Sequence, residues 1–373
     1  MDEEPLLVNR PQLPSFERLM RYGSVVDASR YYTNHGPMHE RLRSLLAELF
    51  GVEESWVGLA ASGNTALSAL LQAAAGRARV IKPLCVCSAF TFVATGAAAV
   101  ECGYTPYIAD IDPETWALDP TQIERLPLLQ EVGAVIVTAP MGRMVDLAAW
   151  QAFSDRTRIP VVVDAAAGFD TLDPGALRAV RIPVMISLHA TKTFSTAEGG
   201  LMLCADPELI HRAVASVNFG FEEDRISMRH GVNGKMSEYH AIIGLCEMET
   251  WADKRDRFRR VGASYLEQAR TLELDPQIIA DGDHALPYVH YLAETADEAT
   301  QVTSALDIAR IGWRCWYGLG LRSHPAFNES PAVALPQAES LMARLISLPM
   351  AVDMTPQDVQ RTLETIRRTF HNY

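Results

Sequence analysis

One lysine stands among hydroxyl side chains in residues 187–204, SLHATKTFSTAEGGLMLC. Apolar runs flank this segment, so Lys192 lies in a polar turn between two predicted buried strands. A lysine desolvated in a cleft has a lowered pKa and becomes a nucleophile that can form a Schiff base with an aldehyde. The neighbouring hydroxyls suit a phosphate ester. Taken alone, Lys192 is more simply interpreted as a surface lysine in a Ser/Thr-rich loop.

A carboxylate follows another predicted strand, at Asp164 after PVVV. A carboxylate at the end of a nearly continuous apolar strand is costly to bury unpaired. Pyridoxal phosphate requires such a group, because an acidic partner keeps its pyridine nitrogen protonated and its ring electron-withdrawing. A helix cap or a metal ligand would explain Asp164 equally well.

Two further segments follow predicted strands. In ASGNTALSALL, residues 61–71 of the chain, a strand turns into a helix whose free N–H groups and dipole favour a phosphate near Asn64 and Thr65. In SAFTFVATG, Phe90 or Phe92 could stack on a flat ring. The simpler interpretations are an ordinary helix N-cap and a core aromatic residue.

These four weak signals are stronger in combination. A Schiff-base lysine, a carboxylate for the pyridine nitrogen, a phosphate cradle and a stacking aromatic are together what a pyridoxal phosphate site requires. The sequence therefore predicts pyridoxal 5'-phosphate as the cofactor.

The elements that must position these groups alternate between strand and helix. Strands are predicted at SWVGLA, RVIKPLC (79–85), TPYIADI, GAVIVTAP, PVVVDAAAG, PVMISLH and GLMLCA, with helices between most of them. Nearly continuous apolar strands are typical of a parallel sheet covered on both faces, so the predicted fold class is α/β with a doubly wound sheet. In such sheets ligands bind at the carboxyl ends of the strands.

Helices are expected at both ends of this alternation. After an irregular start, residues 36–51 form a helix, and residues 237–272 form one long helix or two in tandem. The remainder is expected to be a smaller α+β domain with a strand at YVHYLAE and helices at AESLMARLISL (338–348) and PQDVQRTLETIRRTF.

Composition limits the function classes. The chain has 373 residues, 48% of them hydrophobic, and a net charge of −13, which argues against a nucleic-acid partner. We find no signal-peptide pattern and no apolar run long enough to cross a bilayer, so we expect a cytoplasmic protein without membrane association. The six cysteines are expected to be reduced and mostly buried.

At this point the chain resembles the sugar aminotransferases of the DegT/DnrJ/EryC1/StrS family, which have the fold of type I pyridoxal phosphate enzymes. The most specific match is SLHATKTFSTAEGG, and YTNHGPMHERLRSLLAELFGV, APMGRMVDL and GVNGKMSEYHAIIG extend it over nearly the whole chain. The resemblance implies a large cofactor-binding domain over residues 1–245 and a small C-terminal α+β domain over residues 246–373.

The resemblance also implies roles for individual residues. Lys192 would bond the cofactor aldehyde and then serve as base and acid, Asp164 would pair with the pyridine nitrogen, and Phe92 would stack on the ring. The phosphate would be held by Asn64, Thr65 and Ser187, and by Asn233 of a neighbouring subunit, which implies a homodimer with shared sites. His189 would lie beside the cofactor.

One position departs from the family. The usual Gln or His three residues after the aspartate is Ala167, so residue 167 cannot supply the usual hydrogen bond near the cofactor's phenolic oxygen, and another group or a water could substitute for it. Relatives that carry out sugar 3-dehydration have His at the lysine position. Because this chain keeps Lys192, amino-group transfer is favoured.

The implied substrates are L-glutamate as amino donor and a nucleotide-linked 4-keto-6-deoxy sugar, aminated at C4, for surface polysaccharide or a glycosylated metabolite. Amination at C3 of an isomeric keto sugar is the alternative. The segment RCWYGLGLRSHPAF (314–327) could close over the substrate, or could be an ordinary domain interface. Its candidate substrate contacts are Trp316, Tyr317, Arg322 and His324.

Three other interpretations were weighed. A regulatory protein that binds the cofactor without turnover could lose the lysine or the aspartate, and both are present. A nicotinamide enzyme would need Gly-x-Gly-x-x-Gly at the first strand-to-helix turn, where this chain has one glycine. His35, His39 and Glu40 superficially resemble a metal site, but the helix starts between the two histidines, so we predict that they share no face and that no metal is bound.

Overall fold

The computed structural model describes residues 4–222 and 224–371. Within them a seven-stranded sheet forms the centre, in the order β1-β7-β6-β5-β4-β2-β3. Its strands are β1 (Val57–Ala60), β2 (Leu84–Ser88), β3 (Thr105–Ala109), β4 (Val132–Thr138), β5 (Val161–Asp164), β6 (Val184–Ser187) and β7 (Gly200–Leu203).

This sheet is mixed but has a parallel core. Strands β3, β2, β4, β5 and β6 run parallel, and β7 pairs antiparallel with both β6 and β1. Apart from Thr105 and Gly133, every residue of the seven strands is buried, as expected for a sheet covered by helices on both faces. The carboxyl ends of β2, β4, β5 and β6 therefore open on one edge. The α/β fold class is confirmed.

Helices cover the sheet and connect its strands. Their bounds are α1 (Phe16–Ser29), α2 (Pro37–Phe50), α3 (Gly63–Ala75), α4 (Val93–Glu101), α5 (Pro120–Ile123), α6 (Leu147–Thr157), α7 (Pro174–Ala179), α8 (Pro207–Ser216), α9 (Glu238–Thr271), α10 (Ala296–Ile308), α11 (Pro336–Met342) and α12 (Pro356–His371). Short 3₁₀ turns lie at Glu54–Trp56, Leu129–Glu131, Pro140–Gly142 and Leu321–Ser323.

A second, antiparallel sheet lies in the C-terminal part, in the order β10-β9-β8. Its strands are β8 (Ile278–Ile279), β9 (Val289–Leu292) and β10 (Leu345–Leu348). The predicted helix over residues 338–348 is therefore wrong in its second half. Residues 345–348 pair with β9 and are buried along their whole length. A short apolar run fits a helix and a strand equally, and the pairing partner decides between them.

The second strand of the large sheet is displaced from its predicted position. It was expected over residues 79–85, but β2 begins only after Pro83. Arg79 and Lys82 form a bridge across a tight turn, in which Val80 is 98% and Ile81 is 75% exposed. Apolar residue type thus misled the prediction, because β-branched residues also occur in exposed turns.

The N-terminal region is less irregular than expected, since α1 lies along α9. Arg21 and Tyr22 hydrogen-bond to Glu249 on α9, at 2.5 and 2.7 Å. The core-facing pattern of α1 is weak, because only Val26 in it is buried. Residues 237–272 were predicted as one long helix or two in tandem, and the structure has one helix, α9. Gly262 lets this helix pack closely on residue 281, because an added Cβ would lie 1.8 Å from the Asp281 carbonyl oxygen.

Two other sequence predictions concern the whole chain. The predicted domain boundary between residues 245 and 246 falls inside α9 and stays a prediction. Five cysteines are buried as free thiols, and Cys315 is exposed. Within the described ranges, no helix has both the length and the apolar character that a membrane span requires.

Candidate active site

The predicted chemistry-bearing residues meet at the carboxyl edge of the large sheet. Asp164 is the last residue of β5 and pairs in register with Thr138 of β4 and Met185 of β6. Ser187 ends β6, and the chain then makes the polar turn that carries Lys192 before returning as β7. The positive charge of Lys192 is near enough to lower the pKa of Asp164. The fold therefore brings the lysine and the carboxylate into one site.

Asp164 is buried and is held by neutral donors. The Thr95 hydroxyl donates to Oδ2 at 2.6 Å, and the Ala166 N–H donates to Oδ1 at 3.3 Å. Burial raises the pKa of Asp164, and the Thr95 hydroxyl and the charge of Lys192 oppose that rise. Among the described residues no cation forms an ion pair with it. A buried carboxylate in this state gains most from a cationic partner.

Three threonines support Asp164 as one hydrogen-bonded chain. Thr91 Oγ1 lies 2.6 Å from Thr95 Oγ1 and 2.8 Å from Thr138 Oγ1, and all three are buried. The chain links the ends of β4 and β5 to the start of α4. Sequence analysis missed it, although Thr95 lies three residues after the predicted stacking aromatic, on the first turn of the same helix.

Lys192 faces a phenol. Its Nζ donates a hydrogen bond to Tyr288 Oη at 3.0 Å, and Nζ lies 5.4 Å from the centre of the Tyr288 ring. Tyr288 lies directly before β9, 96 residues further along the chain. Sequence analysis also missed this residue, because its contact with the lysine joins the two sheets and no local motif signals it.

A helix N-terminus adjoins the end of β6. Ser62 caps α3, accepting the Thr65 N–H at 3.2 Å, while the first-turn N–H groups of Gly63 and Asn64 lack intrahelical acceptors. Gly63 packs against Ser187, since an added Cβ would lie 3.1 Å from both Cβ and Oγ of that serine. The structure thus groups Ser187 with the α3 N-terminus, an arrangement suited to phosphate.

The side chain of Asn64 points elsewhere. Its Nδ2 donates to Glu101 on α4 at 2.9 Å. The backbone N–H of Asn64 is therefore the group left for an anion at this helix end. Thr65 retains a hydroxyl there, 2.9 Å from that of Ser62.

The two candidate aromatics have different environments. Phe90 is fully buried and packs edge-on against Tyr317, with ring centres 5.1 Å apart. Phe92 is 53% exposed and occupies the N-cap position of α4, next to the threonine chain. Of the two, Phe92 has the more accessible ring, and its stacking on the cofactor stays a prediction.

His189 and Asn233 lie at the rim. His189 Nδ1 is 2.9 Å from Thr191 Oγ1, and its Nε2 is 3.6 Å from Glu198. Asn233 is exposed, and its Oδ1 accepts a hydrogen bond from Lys235 at 2.7 Å. The next residue, Gly234, packs on Thr65. The reach of Asn233 into a second subunit stays a prediction.

The segment 314–327 contributes two of its four candidate residues to this site. The Trp316 ring centre is 6.3 Å from that of Tyr288, and Tyr317 Oη accepts the Met141 N–H at 3.4 Å. Burial, together with Tyr288 and Asp164, raises the pKa of Tyr317. Arg322 is exposed and His324 half-buried, and within the described residues no contact joins their side chains to Lys192 or Asp164.

His35 precedes α2, so it shares no helix face with His39, as predicted, yet the two rings lie close together, with centres 4.8 Å apart. His35 has a positive φ of 57°, and its Nδ1 lies 3.4 Å from His39 Nε2. His39 Nδ1 is 2.9 Å from Glu40, which also pairs with Arg43. Burial and the neighbouring His39 lower the pKa of His35 to about 4. The three side chains form a compact group that could hold a metal ion, so the expected absence of metal stays a prediction.

A sequence profile of the DegT/DnrJ/EryC1/StrS aminotransferase family matches residues 17–367. The chain belongs to this family. The predicted enzyme class, an aminotransferase, and its cofactor, pyridoxal phosphate, are thereby confirmed.

Three relatives illustrate the similarity of this DegT/DnrJ/EryC1/StrS aminotransferase. It is 34% identical over 249 residues, 66% of this chain and 65% of the relative, to a dTDP-4-amino-4,6-dideoxy-D-glucose transaminase of Shigella dysenteriae. A Bacillus cereus structure assigned as a PLP-dependent aminotransferase is 27% identical, with a TM-score of 0.87 over 97% of this chain and 100% of that one. DesI, solved in the presence of its TDP-sugar product, is 29% identical, with a TM-score of 0.85 over 98% and 93% of the two chains.

The residues of the site fit the cofactor. Asp164 is a buried carboxylate that lacks a cation among the described residues, the α3 N-terminus with Ser187 suits a phosphate, and Lys192 offers an amine. The pyridine nitrogen, the phosphate and the aldehyde of pyridoxal phosphate thus each have a chemically matched partner in this aminotransferase.

Gly63→Ala tests the phosphate end. Because the new methyl group would lie 3.1 Å from Ser187 Cβ and Oγ, the serine must move by a few tenths of an ångström. We expect the cofactor Kd, measured by titrating the apoprotein, to rise roughly tenfold, the effect of about one weakened charge-assisted hydrogen bond. Gly23→Ala on α1 is the matched control, since nothing lies within 4 Å of its added Cβ. A Kd within a factor of two of the original would contradict this placement.

Proposed function

We propose that this aminotransferase transfers the amino group of L-glutamate to C4 of a nucleotide-linked 4-keto-6-deoxy sugar. Its product would serve surface polysaccharide or a glycosylated metabolite. Amination at C3 of an isomeric keto sugar is the alternative substrate assignment.

Two relatives support a nucleotide sugar as the amino acceptor. The Shigella dysenteriae relative is named for a dTDP-linked 4-amino-4,6-dideoxy sugar, and DesI was solved with a TDP-sugar product. The observation that carries the chemistry is that Lys192 lies close enough to the buried Asp164, at the carboxyl edge of the sheet, for its charge to act on that carboxylate.

The proposed roles follow from the geometry of the site. Pyridoxal phosphate, when bound, supplies an electron-withdrawing ring on which an amino group can be moved. Asp164 would hold the pyridine nitrogen protonated, and the exposed ring of Phe92 would stack on the cofactor. Lys192 Nζ would accept the proton from Cα of the amino donor and later return a proton. Ser187, Thr65 and the first-turn N–H groups of α3 would hold the phosphate.

We further propose that the enzyme is a homodimer in which Asn233 of one subunit reaches the phosphate bound by its partner. We propose that this dimer acts in the cytoplasm. Several apolar side chains near Asn233 are exposed, which is typical of a surface covered by another chain. They are Phe219 (44%), Ile226 (60%), Met228 (64%) and Val232 (57%). Light scattering should give twice the mass of one chain, and cell fractionation should place the enzyme in the soluble fraction.

Product analysis tests the substrate. The holoenzyme is incubated with L-glutamate and a panel of 3-keto and 4-keto nucleotide sugars. The products are separated, their masses are measured by mass spectrometry, and the aminated carbon is assigned by NMR. We expect an amine at C4, with equimolar 2-oxoglutarate, and no product when glutamate is omitted. An amine at C3 would select the alternative. Bound cofactor that no amino donor converts would instead support a regulatory protein.

A further inference from the structure

We propose that the Tyr288 phenol holds the reactive amine of Lys192 by a hydrogen bond. We also propose that it provides a polar group on the side of the site where Ala167 has none. This inference rests on the assignment of Lys192 as the cofactor-bonding lysine under the proposed function. It concerns a residue that no motif in the sequence marks.

The contact is direct. Within the described part of the chain, Lys192 Nζ forms no ion pair, and its hydrogen bond goes to Tyr288 Oη at 3.0 Å. A phenol can accept a hydrogen bond from an ammonium and donate one to a neutral amine. Tyr288 can therefore hold Lys192 Nζ in either protonation state, which a residue that alternates between base and acid requires.

The segment that carries Tyr288 is anchored on the loop after β5. Asp170 Oδ2 accepts the Ala285 N–H at 2.7 Å, and the same carboxylate pairs with Arg255 at 2.8 Å. Tyr288 thus reaches Lys192 from a segment fixed three residues earlier.

The same segment passes the corner that Ala167 occupies. A Cβ added to Gly142 would lie 2.6 Å from Leu286 Cδ2 and 2.9 Å from the Ala167 carbonyl oxygen. Gly142, Ala167 and Leu286 are therefore packed together, and Leu286 lies two residues before Tyr288. The polar side chain of Tyr288 is thus carried by a segment that packs where residue 167 supplies no polar group.

Ring packing fixes the orientation of the phenol. The Tyr288 ring stacks on His290, with centres 6.0 Å apart and planes at 24°, and meets Trp316 at 6.3 Å and 64°. Phenylalanine at position 288 would preserve both contacts. The variant Tyr288→Phe therefore removes the hydrogen bond while keeping the packing.

The test compares Tyr288→Phe with the unchanged holoenzyme by titrating the absorbance of the lysine-bound cofactor against pH. Because Nζ donates to the phenol oxygen, Tyr288 stabilises the protonated nitrogen, and we expect its loss to lower the midpoint by about one pH unit. We also expect kcat to fall roughly 10- to 100-fold, with the KM of the amino donor unchanged within about twofold. The control is Tyr104→Phe. The Tyr104 hydroxyl contacts the carbonyls of Ala75 and Gly76 rather than Lys192, so its removal should change neither the midpoint nor kcat.

The outcomes separate this inference from the proposed function. Two results would overturn the role of Tyr288 while leaving Lys192 as the cofactor-bonding residue. One is a midpoint in Tyr288→Phe that stays within 0.2 pH units of the original or rises. The other is a change in the KM of the amino donor with no fall in kcat. If borohydride fixes the cofactor to a lysine other than Lys192, both assignments are wrong. Circular dichroism of Tyr288→Phe identical to that of the original protein verifies that the comparison reports the hydroxyl group alone.

Discussion

Lys192→Arg is expected to lower kcat/KM roughly 10⁴-fold while leaving the fold unchanged. Arginine preserves the positive charge beside Asp164 and can still donate to Tyr288. Its guanidinium has a pKa above 12, however, so it forms no Schiff base and accepts no proton from a carbon acid. The variant therefore separates the chemistry of the amine from the electrostatics of the site.

The small number of lysines makes this prediction sharp. The chain contains four, at positions 82, 192, 235 and 254. Lys254 is buried in an ion pair with Glu247 at 2.8 Å, and Lys235 bonds Asn233. Borohydride reduction of the holoenzyme followed by peptide mapping should tag position 192 and no other. Lys82→Arg, in the turn before β2, is the matched control and should keep both the tag and the activity. A tag elsewhere, or substantial turnover by Lys192→Arg, would contradict the assignment.

Sequence could predict those parts of the site that follow a strand directly. Asp164, Ser187 and Lys192 follow apolar runs, and the residue types alone specify their chemistry. The strand-to-helix turn before α3 was also predicted, and Ser62 caps the helix there. Local signals suffice where one segment both forms the element and carries the functional group.

The parts that failed depend on contacts between distant segments. Tyr288 and Lys192 are in contact although 96 residues separate them in the sequence. Thr95 can be recognised as a partner of Asp164 only once the packing of α4 against the end of β5 is known. Strand β10 was read as helix because its pairing with β9 leaves no trace in its own residues. In each case tertiary geometry, rather than propensity, decides the outcome.

Asp164→Asn is expected to have the second largest effect, lowering kcat roughly 10²- to 5 × 10³-fold. Asparagine preserves the volume of the side chain, and its one carbonyl oxygen can still accept from the Ala166 N–H, while its NH₂ group then donates to the Thr95 hydroxyl oxygen. What it removes is the negative charge that holds the pyridine nitrogen protonated. Leaving a buried cation without its partner costs about 3 to 5 kcal/mol, which sets the expected range. Asp173→Asn is the matched control, since Asp173 caps α7 outside the site.

Thr95→Val extends this test to the pH dependence. Burial raises the pKa of Asp164, and the Thr95 hydroxyl opposes that rise by donating to the charged form. Removing the hydroxyl should therefore raise the Asp164 pKa further. As the pH is lowered, Asp164 then becomes protonated at a higher pH than in the original protein, and kcat falls with it. The acid limb of the pH–kcat profile should therefore move to higher pH in Thr95→Val and disappear in Asp164→Asn, whose residue 164 has no proton to gain. An acid limb that is the same in all three proteins would mean that a group other than Asp164 sets it, and that the buried carboxylate does not govern the reactivity of the site.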